Sequence, residues 1–296
     1  MENKKLLYAD LSLLIVAIIW GSGFVVTKNA LDNMTPYYIL GFRFIISTVL
    51  LGLISYKKLK TISKKELKAG ILIGLFLFFG FATQTVGLKY TTAGKQGFIT
   101  ATNVVMVPFM YWALTKKKPD AFEFFGAILC FIGIGILSLE TNLTIGLGEF
   151  LTFLCAIGFA AHIVSVGYFA KDVDPFVISV IQLGTAAVLS FVFAFLFEPR
   201  IIQISTSSIF PILYLGVFGT MVAFLIQNIA QNHTTSTHAA IILSLEAVFG
   251  SIFALIFLKE QFTLRFLIGC IAIFISVLAS ETKFSFLRKN KGKGLI

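Results

Sequence analysis

Residues 9–28 read ADLSLLIVAIIWGSGFVVTK, an apolar run whose charged residues, Asp10 and Lys28, stand near its two ends. An α-helix needs about 20 such residues to cross the hydrocarbon core of a bilayer, which is roughly 30 Å thick. Nine further apolar runs of about this length follow, and short loops separate them. The ten predicted spans cover residues 9–28, 36–56, 68–88, 96–115, 122–139, 149–169, 175–197, 209–230, 238–258 and 264–281.

The composition agrees with an all-α integral membrane protein. Hydrophobic residues make up 57% of the 296 residues and charged residues 13%, whereas soluble domains carry about 25% charged residues. The net charge of +10 does not indicate nucleic-acid binding, because the basic residues stand at the ends of the spans. The three cysteines lie inside apolar runs and are expected to pack rather than to form disulfides or bind metal.

The distribution of basic residues predicts the orientation. Seventeen Lys and Arg residues lie on the side of the N-terminus and six on the other side. Because cytoplasmic loops carry the excess of positive charge, we expect both termini in the cytoplasm. The predicted location is the plasma membrane, the inner membrane of a bacterium. We read Lys4 and Lys5 as the flank of an uncleaved first helix.

The two halves of the chain resemble each other. Residues 90–132 align without a gap on residues 233–275 at an offset of 143, and Pro36 aligns on Pro175 at an offset of 139. We predict a first five-helix repeat at residues 1–143, a second at 144–284, and a basic cytoplasmic tail at 285–296. Because five is odd, the second repeat would be inverted in the membrane. Inverted repeats are typical of secondary transporters.

Two motifs resemble the EamA-like family of the drug/metabolite transporter (DMT) superfamily. These are Trp20-Gly21-Ser22-Gly23-Phe24 in the first span and Leu245-Glu246-Ala247-Val248-Phe249 in the ninth. Phe257-Leu258-Lys259-Glu260 and Gly269 add to the resemblance. The chain departs from the family in having Lys259 in its usual Leu-Gly-Glu, and Ala247 where proline is frequent. The resemblance implies two EamA-like repeats and a transporter of amino acids, other metabolites or toxic compounds.

Ionisable residues within the spans are functional candidates, because an unpaired charge in hydrocarbon is costly. Glu246 lies about 12 Å into the ninth span at 1.5 Å per residue, and is either a proton-coupling or amine-binding group or a structural carboxyl. Arg43 lies about 10 Å into the second span by the same rise. It binds an anionic group, extends to the surface or pairs with Glu246. Together the two charges would suit an amino acid.

Trp20 and Asn103 complete the predicted substrate-binding set. The indole of Trp20 either stacks on a ligand or packs between helices. Asn103 is the repeat equivalent of Glu246, which would place both near a pseudo-two-fold axis. We interpret the remaining intramembrane polar residues as interhelical hydrogen-bonding groups; these are Gln84, His162, Gln182, Gln227 and Asn228.

The sequence therefore predicts a secondary-active transporter of a small metabolite, working outward by alternating access with proton coupling as one option. No nucleotide-binding, hydrolase or zinc-protease motif occurs, so we expect no cofactor, metal site or catalytic residue. The expected partners are a small-molecule substrate and membrane lipids, with a homodimer left open and nucleic acid excluded. The alternatives are a multidrug transporter, a lipid scramblase, a non-transporting sensor and, least supported, an intramembrane enzyme.

Overall fold

A computed structural model describes residues 2–116, 118–138, 145–169, 173–199, 206–231, 233 and 242–282. The predicted tail at 285–296 lies outside the described residues. The helices are α1 (Glu2–Leu31), α2 (Pro36–Ile54), α3 (Tyr56–Leu59), α4 (Lys64–Gly87), α5 (Ala93–Ala101), α6 (Asn103–Thr115), α7 (Ala121–Ser138), α8 (Leu147–Phe169), α9 (Pro175–Phe197), α10 (Thr206–Gly216), α11 (Ala223–Gln231), α12 (Glu246–Phe257) and α13 (Leu264–Thr282).

The apolar runs coincide with helices, most of which are long enough to span a membrane. Within the described ranges, seven helical segments have both the length and the hydropathy for this, and three further apolar helices are shorter: Ala121–Ile136, Ile242–Phe257 and Leu264–Ala279. Each predicted span overlaps one of these ten segments over most of its length, although residues 238–241 of the ninth lie outside the described part. The expectation of a multi-pass, all-helical membrane protein is confirmed.

Local sequence signals explain where several helices begin. Pro36 and Pro175 stand in the first turns of α2 and α9, where a missing N–H costs no hydrogen bond. The α4 helix begins with a capping box, in which the side chains of Ser63 and Glu66 each accept a hydrogen bond from the other residue's backbone N–H.

Two of the apolar segments are broken in the middle. The α5 and α6 helices are separated at Thr102, with φ −64° and ψ −13°, and Ile242–Phe257 is interrupted at Leu245, with φ −63° and ψ −14°. The two breaks are 143 residues apart, which is the offset of the repeat. A proline inside a helix favours a kink, and Pro108 lies within α6. The interruption nevertheless lies six residues before Pro108, where the Thr102 hydroxyl donates to the carbonyl of Ile99 at 2.6 Å.

Both broken segments end in the same way. Lys116 has φ 61° and Lys259 has φ 54°, and they are the non-glycine residues of positive φ in the described chain. They too are 143 residues apart. A left-handed residue after the last helical turn is a common C-terminal cap that favours glycine, which explains the glycine of the family pattern at the position of Lys259.

The α2 and α9 helices pack side by side and run antiparallel. At one end, the Glu198 carboxylate accepts hydrogen bonds from the N–H groups of Tyr37 and Tyr38 at 2.9 and 3.2 Å. At the other end, Lys58 and Asp174 form an ion pair at 2.7 Å. The start of each helix is therefore held to the end of the other.

Close packing elsewhere depends on glycine. A Cβ on Gly74 of α4 would lie 2.6 Å from Thr185 Cβ and 2.7 Å from Gln182 O of α9. A Cβ on Gly216 of α10 would lie 3.1 Å from Ile46 Cγ2 and 3.3 Å from the carbonyl oxygen of Arg43, both of α2. Small residues let neighbouring helix backbones approach in this way.

A π-helical turn at Val217–Val222 joins α10 to α11. Such a turn replaces hydrogen bonds of i→i+4 spacing by i→i+5 bonds and is frequent at functional sites. Neither this turn nor the short α3 helix was expected from the sequence.

Candidate functional site

A cavity that is partly open to its surroundings lies between helices of both halves. The four residues predicted to bind substrate, Trp20, Arg43, Asn103 and Glu246, all line it. Sequence reasoning therefore selected residues that the fold brings to one place.

Arg43 projects from α2 and is 4% exposed. Its Nε donates to Thr220 Oγ1 at 2.9 Å and its Nη2 to the carbonyl of Gly219 at 3.4 Å. The guanidinium carbon lies 4.5 Å from the ring centroid of Phe81, a distance suited to a cation–π contact. Because guanidinium carries five N–H donors, these two bonds leave donors for a ligand.

The π turn supplies the acceptors that hold Arg43 and Trp20. The carbonyl of Gly219 also accepts a hydrogen bond from Trp20 Nε1 at 3.0 Å. Thr220 Oγ1 in turn donates to the carbonyl of Leu215 at 2.7 Å. The turn thus ties α1 and α2 together at the cavity wall. Gly219 and Thr220 could not be recognised from the sequence, because a π turn has no composition signal comparable to a capping box.

Glu246 is the first residue of α12 and is 9% exposed. Within the described part of the chain, no hydrogen bond or ion pair joins its carboxyl to another side chain. The option that Arg43 and Glu246 pair with each other is therefore not what the structure adopts. Both groups face the cavity with capacity for further hydrogen bonds.

Asn103 occupies the matching position at the start of α6 and is 7% exposed. Its Oδ1 is buried and has no hydrogen-bond partner among the described residues. Gln96 and Gln227 also line the cavity, and their Oε1 atoms are likewise buried without a hydrogen-bond partner among the described residues. Buried polar atoms are usually paired, so three unsatisfied acceptors around one cavity indicate a surface suited to a hydrogen-bond donor.

Pairs of repeat-equivalent residues line the cavity on both sides. At an offset of 139 these pairs include Trp20 with Phe159 and Gly23 with His162, and at an offset of 143 they include Phe81 with Phe224, Gln84 with Gln227 and Asn103 with Glu246. Polar character differs in two of these pairs, because Asn103 carries an amide where Glu246 carries a carboxyl, and Gly23 has no side chain where His162 carries an imidazole.

Several polar residues predicted to join helices do so. His162 Nε2 lies 2.9 Å from Gln182 Oε1, linking α8 to α9. Asn228 Nδ2 donates to Ser179 Oγ at 2.6 Å, linking α11 to α9. The cysteines are buried and free.

The comparisons with known proteins agree on the kind of protein. A family model described as the EamA-like transporter family matches residues 7–139 and 146–281. An uncharacterized transporter of Archaeoglobus fulgidus is 37% identical over 94% of this chain and 87% of its own length. The uncharacterized transporter YoaV of Bacillus subtilis is 24% identical over 93% and 97%. A crystal structure sharing 16% identity superposes with a TM-score of 0.70 over 95% of this chain and 98% of the other, a likeness in fold alone.

Proposed function

Because the chain belongs to the EamA-like transporter family of the DMT superfamily, we propose that it is a secondary-active exporter of a small metabolite. The proposed substrate is an amino acid or a related amphipathic compound. It would be moved across the plasma membrane by alternating access, with a proton or the substrate's own gradient as the driving force.

The observation that carries this proposal is the placement of Arg43 and Glu246 on one cavity without an ion pair between them. Unpaired ionisable groups inside a membrane protein mark substrate or ion pathways. A guanidinium binds a carboxylate through two parallel hydrogen bonds, and a carboxylate with neighbouring amide oxygens suits an ammonium group. The two poles together fit a ligand that carries both charges.

Alternating access is supported by the arrangement of the halves. Residue pairs from the two repeats contribute to the cavity walls, and α2 runs antiparallel to its repeat equivalent α9, as the contacts at their ends show. An inverted relation requires equivalent helices to run in opposite directions, whereas a parallel duplication would not. We propose ten spans in two inverted repeats, with both termini cytoplasmic, as in other transporters of this design.

Glu246 is the proposed proton-coupling residue. Its side chain is buried, and burial disfavours the charged form of a carboxyl unless a partner compensates. An ammonium ligand would stabilise the carboxylate and release its proton. Binding of substrate and binding of a proton would then compete at one group.

The first experiment measures thermal stabilisation of the purified protein by amino acids, polyamines, sugars and nucleosides. A ligand that binds the folded state at a hundredfold excess over its Kd contributes about 2.7 kcal/mol. We expect an amino acid to raise the melting temperature, and Glu246→Gln and Arg43→Gln each to abolish the shift. Glu66→Gln, at the exposed start of α4, is the matched control that keeps the shift. Equal stabilisation by amino acids of the wild type and of all three variants would refute the proposed site.

Multidrug transport is the second candidate function, and the aromatic cavity wall favours it. Trp20, Phe24, Phe81, Phe159 and Phe224 all line the cavity, and aromatic faces bind hydrophobic cations. Stabilisation by lipophilic cations rather than by amino acids would favour this function. A scramblase or a sensor would show no counterflow of a small solute in proteoliposomes.

A further inference from the structure

The turn between α4 and α5, residues 88–92, is held by side chains from distant parts of the chain. From the last turn of α1, Lys28 Nζ donates to the carbonyls of Leu88 and Thr91 at 2.6 and 2.8 Å. Carbonyl groups at the end of a helix are favourable acceptors for a cation. Lys28 therefore bridges the end of α1 to the end of α4.

Two carboxylates from the other half of the chain hold this turn and the first residues of α5. Glu260, which follows α12, accepts hydrogen bonds from the N–H groups of Ala93 and Gly94 at 2.7 and 3.0 Å. Glu149 of α8 accepts from Thr91 Oγ1 at 2.9 Å and pairs with Lys95 Nζ at 3.0 Å. We call Lys28, Lys95, Glu149 and Glu260, with the main chain of residues 88–94, the α4–α5 clamp.

The clamp lies against one end of the cavity. Thr27 and Gln96 line the cavity, and each is the chain neighbour of a lysine of the clamp. At the start of α8, a Cβ on Gly148 would lie 2.6 Å from the carbonyl carbon of Tyr90. The backbone of α8 is therefore in close contact with the backbone of the turn beside the cavity.

The hydrogen bonds of the clamp differ from those inside the helices. They join α1, α8 and the segment after α12 to a turn, and they can break while every helix keeps its internal bonds. Lys259 contributes to this geometry, because its left-handed backbone turns the chain after α12 and is followed directly by Glu260. Parts that separate as units are what the opening of a transporter requires.

We propose that the α4–α5 clamp is the gate at this end of the cavity, and that the cavity opens here when Glu260 and Lys28 release the turn. On the proposed topology this is the outer end. The proposal rests on the proposed transport function, since it assigns a side of access to the same cavity. It differs from a static role, in which the clamp would only stabilise the loops.

The test measures how fast a cysteine at Thr27 is labelled by a charged, membrane-impermeant thiol reagent, in right-side-out and in inside-out vesicles. The buried native cysteines give the background rate in the protein without Thr27→Cys. In the Glu260→Gln variant we expect labelling to be about tenfold faster, the order produced by losing a hydrogen bond to a charged group. The acceleration should occur from one side of the membrane only.

Glu198→Gln is the matched control. Glu198 accepts hydrogen bonds from the N–H groups at the start of α2, just as Glu260 accepts hydrogen bonds from those at the start of α5. Residues 35–38, however, do not line the cavity. We expect this variant to label at the wild-type rate. Lys28→Met releases the turn from its other side, and provides a second test if Glu260→Gln fails to give a monodisperse protein.

Faster labelling in Glu260→Gln or Lys28→Met, from one side and not in Glu198→Gln, supports the gate. Unchanged labelling in both clamp variants, equal acceleration in Glu198→Gln, or acceleration from both sides overturns it. The assay contains no substrate. Failure of the proposed substrate class or of transport therefore leaves the labelling result interpretable.

Discussion

Replacing Gly21 by alanine should force α1 and α12 apart. The new Cβ would lie 2.7 Å from Phe249 Cβ, 2.8 Å from Gly250 N and 2.9 Å from the carbonyl oxygen of Glu246. Carbon atoms pack at about 3.5–4.0 Å, and all three neighbours are backbone or Cβ atoms that cannot rotate away. The helices must therefore separate by up to about 1 Å.

Overpacking of this kind costs about 1–3 kcal/mol. With about 2–4 °C lost per kcal/mol in proteins of some 200 residues, Gly21→Ala should lower the melting temperature by roughly 2–12 °C. The measurement is a thermal melt in detergent. Because the strain falls on the main chain of Glu246, ligand stabilisation should decrease as well.

Gly23→Ala, two residues along the same helix, is the control. Its Cβ would lie 3.9 Å from Leu215 Cδ2, which is an ordinary contact, and alanine in a helix is favoured over glycine by about 0.5–1 kcal/mol. We expect an unchanged or slightly raised melting temperature. Equal destabilisation by the two substitutions, or a stable Gly21→Ala protein, would refute the packing argument.

Three further predictions concern the π turn and the helix ends. Thr220→Val should lower the free energy of unfolding by about 1.5–3 kcal/mol, because it removes the hydroxyl that accepts a hydrogen bond from the charged Arg43 side chain. Thr220→Ser keeps the hydroxyl and should melt close to the wild-type temperature. Trp20→Phe should cost about 1 kcal/mol through loss of the hydrogen bond to Gly219, and a melt at the wild-type temperature would contradict this. Lys259→Gly should stabilise the folded protein by about 1 kcal/mol, since a left-handed residue with a Cβ is strained. Chemical denaturation measures this, and a denaturant midpoint below that of the wild type would contradict the prediction.

The membrane architecture and the candidate site could be predicted from the sequence for different reasons. Apolar runs give the spans directly, because backbone hydrogen bonding in lipid permits few other structures. Arg43 and Glu246 stand out because ionisable groups are rare in such runs. The repeat alignment then relates Asn103 to Glu246, and the fold places both on one cavity.

What the sequence did not reveal depends on tertiary contacts. The role of Gly219 depends on its backbone carbonyl, which accepts hydrogen bonds from the side chains of Trp20 and Arg43 on other helices. Every residue has such a carbonyl, so the sequence cannot indicate which one is used. Glu260 was recognised as part of a family pattern, yet its hydrogen bonds to Ala93 and Gly94 join segments far apart in the chain. Neither contact has a local sequence signal.

The π turn also records a difference in length between the two halves. Before it, Gly74 and Gly216 make equivalent contacts with α9 and α2 at a separation of 142 residues; after it, Phe81 and Phe224 face the cavity at a separation of 143. The turn therefore holds one residue that α4 lacks, which is the length difference that a π turn accommodates within a helix. Deleting one residue from Val217–Val222 should give a continuous α-helix like α4 and should displace the carbonyl of Gly219 that accepts hydrogen bonds from Trp20 and Arg43.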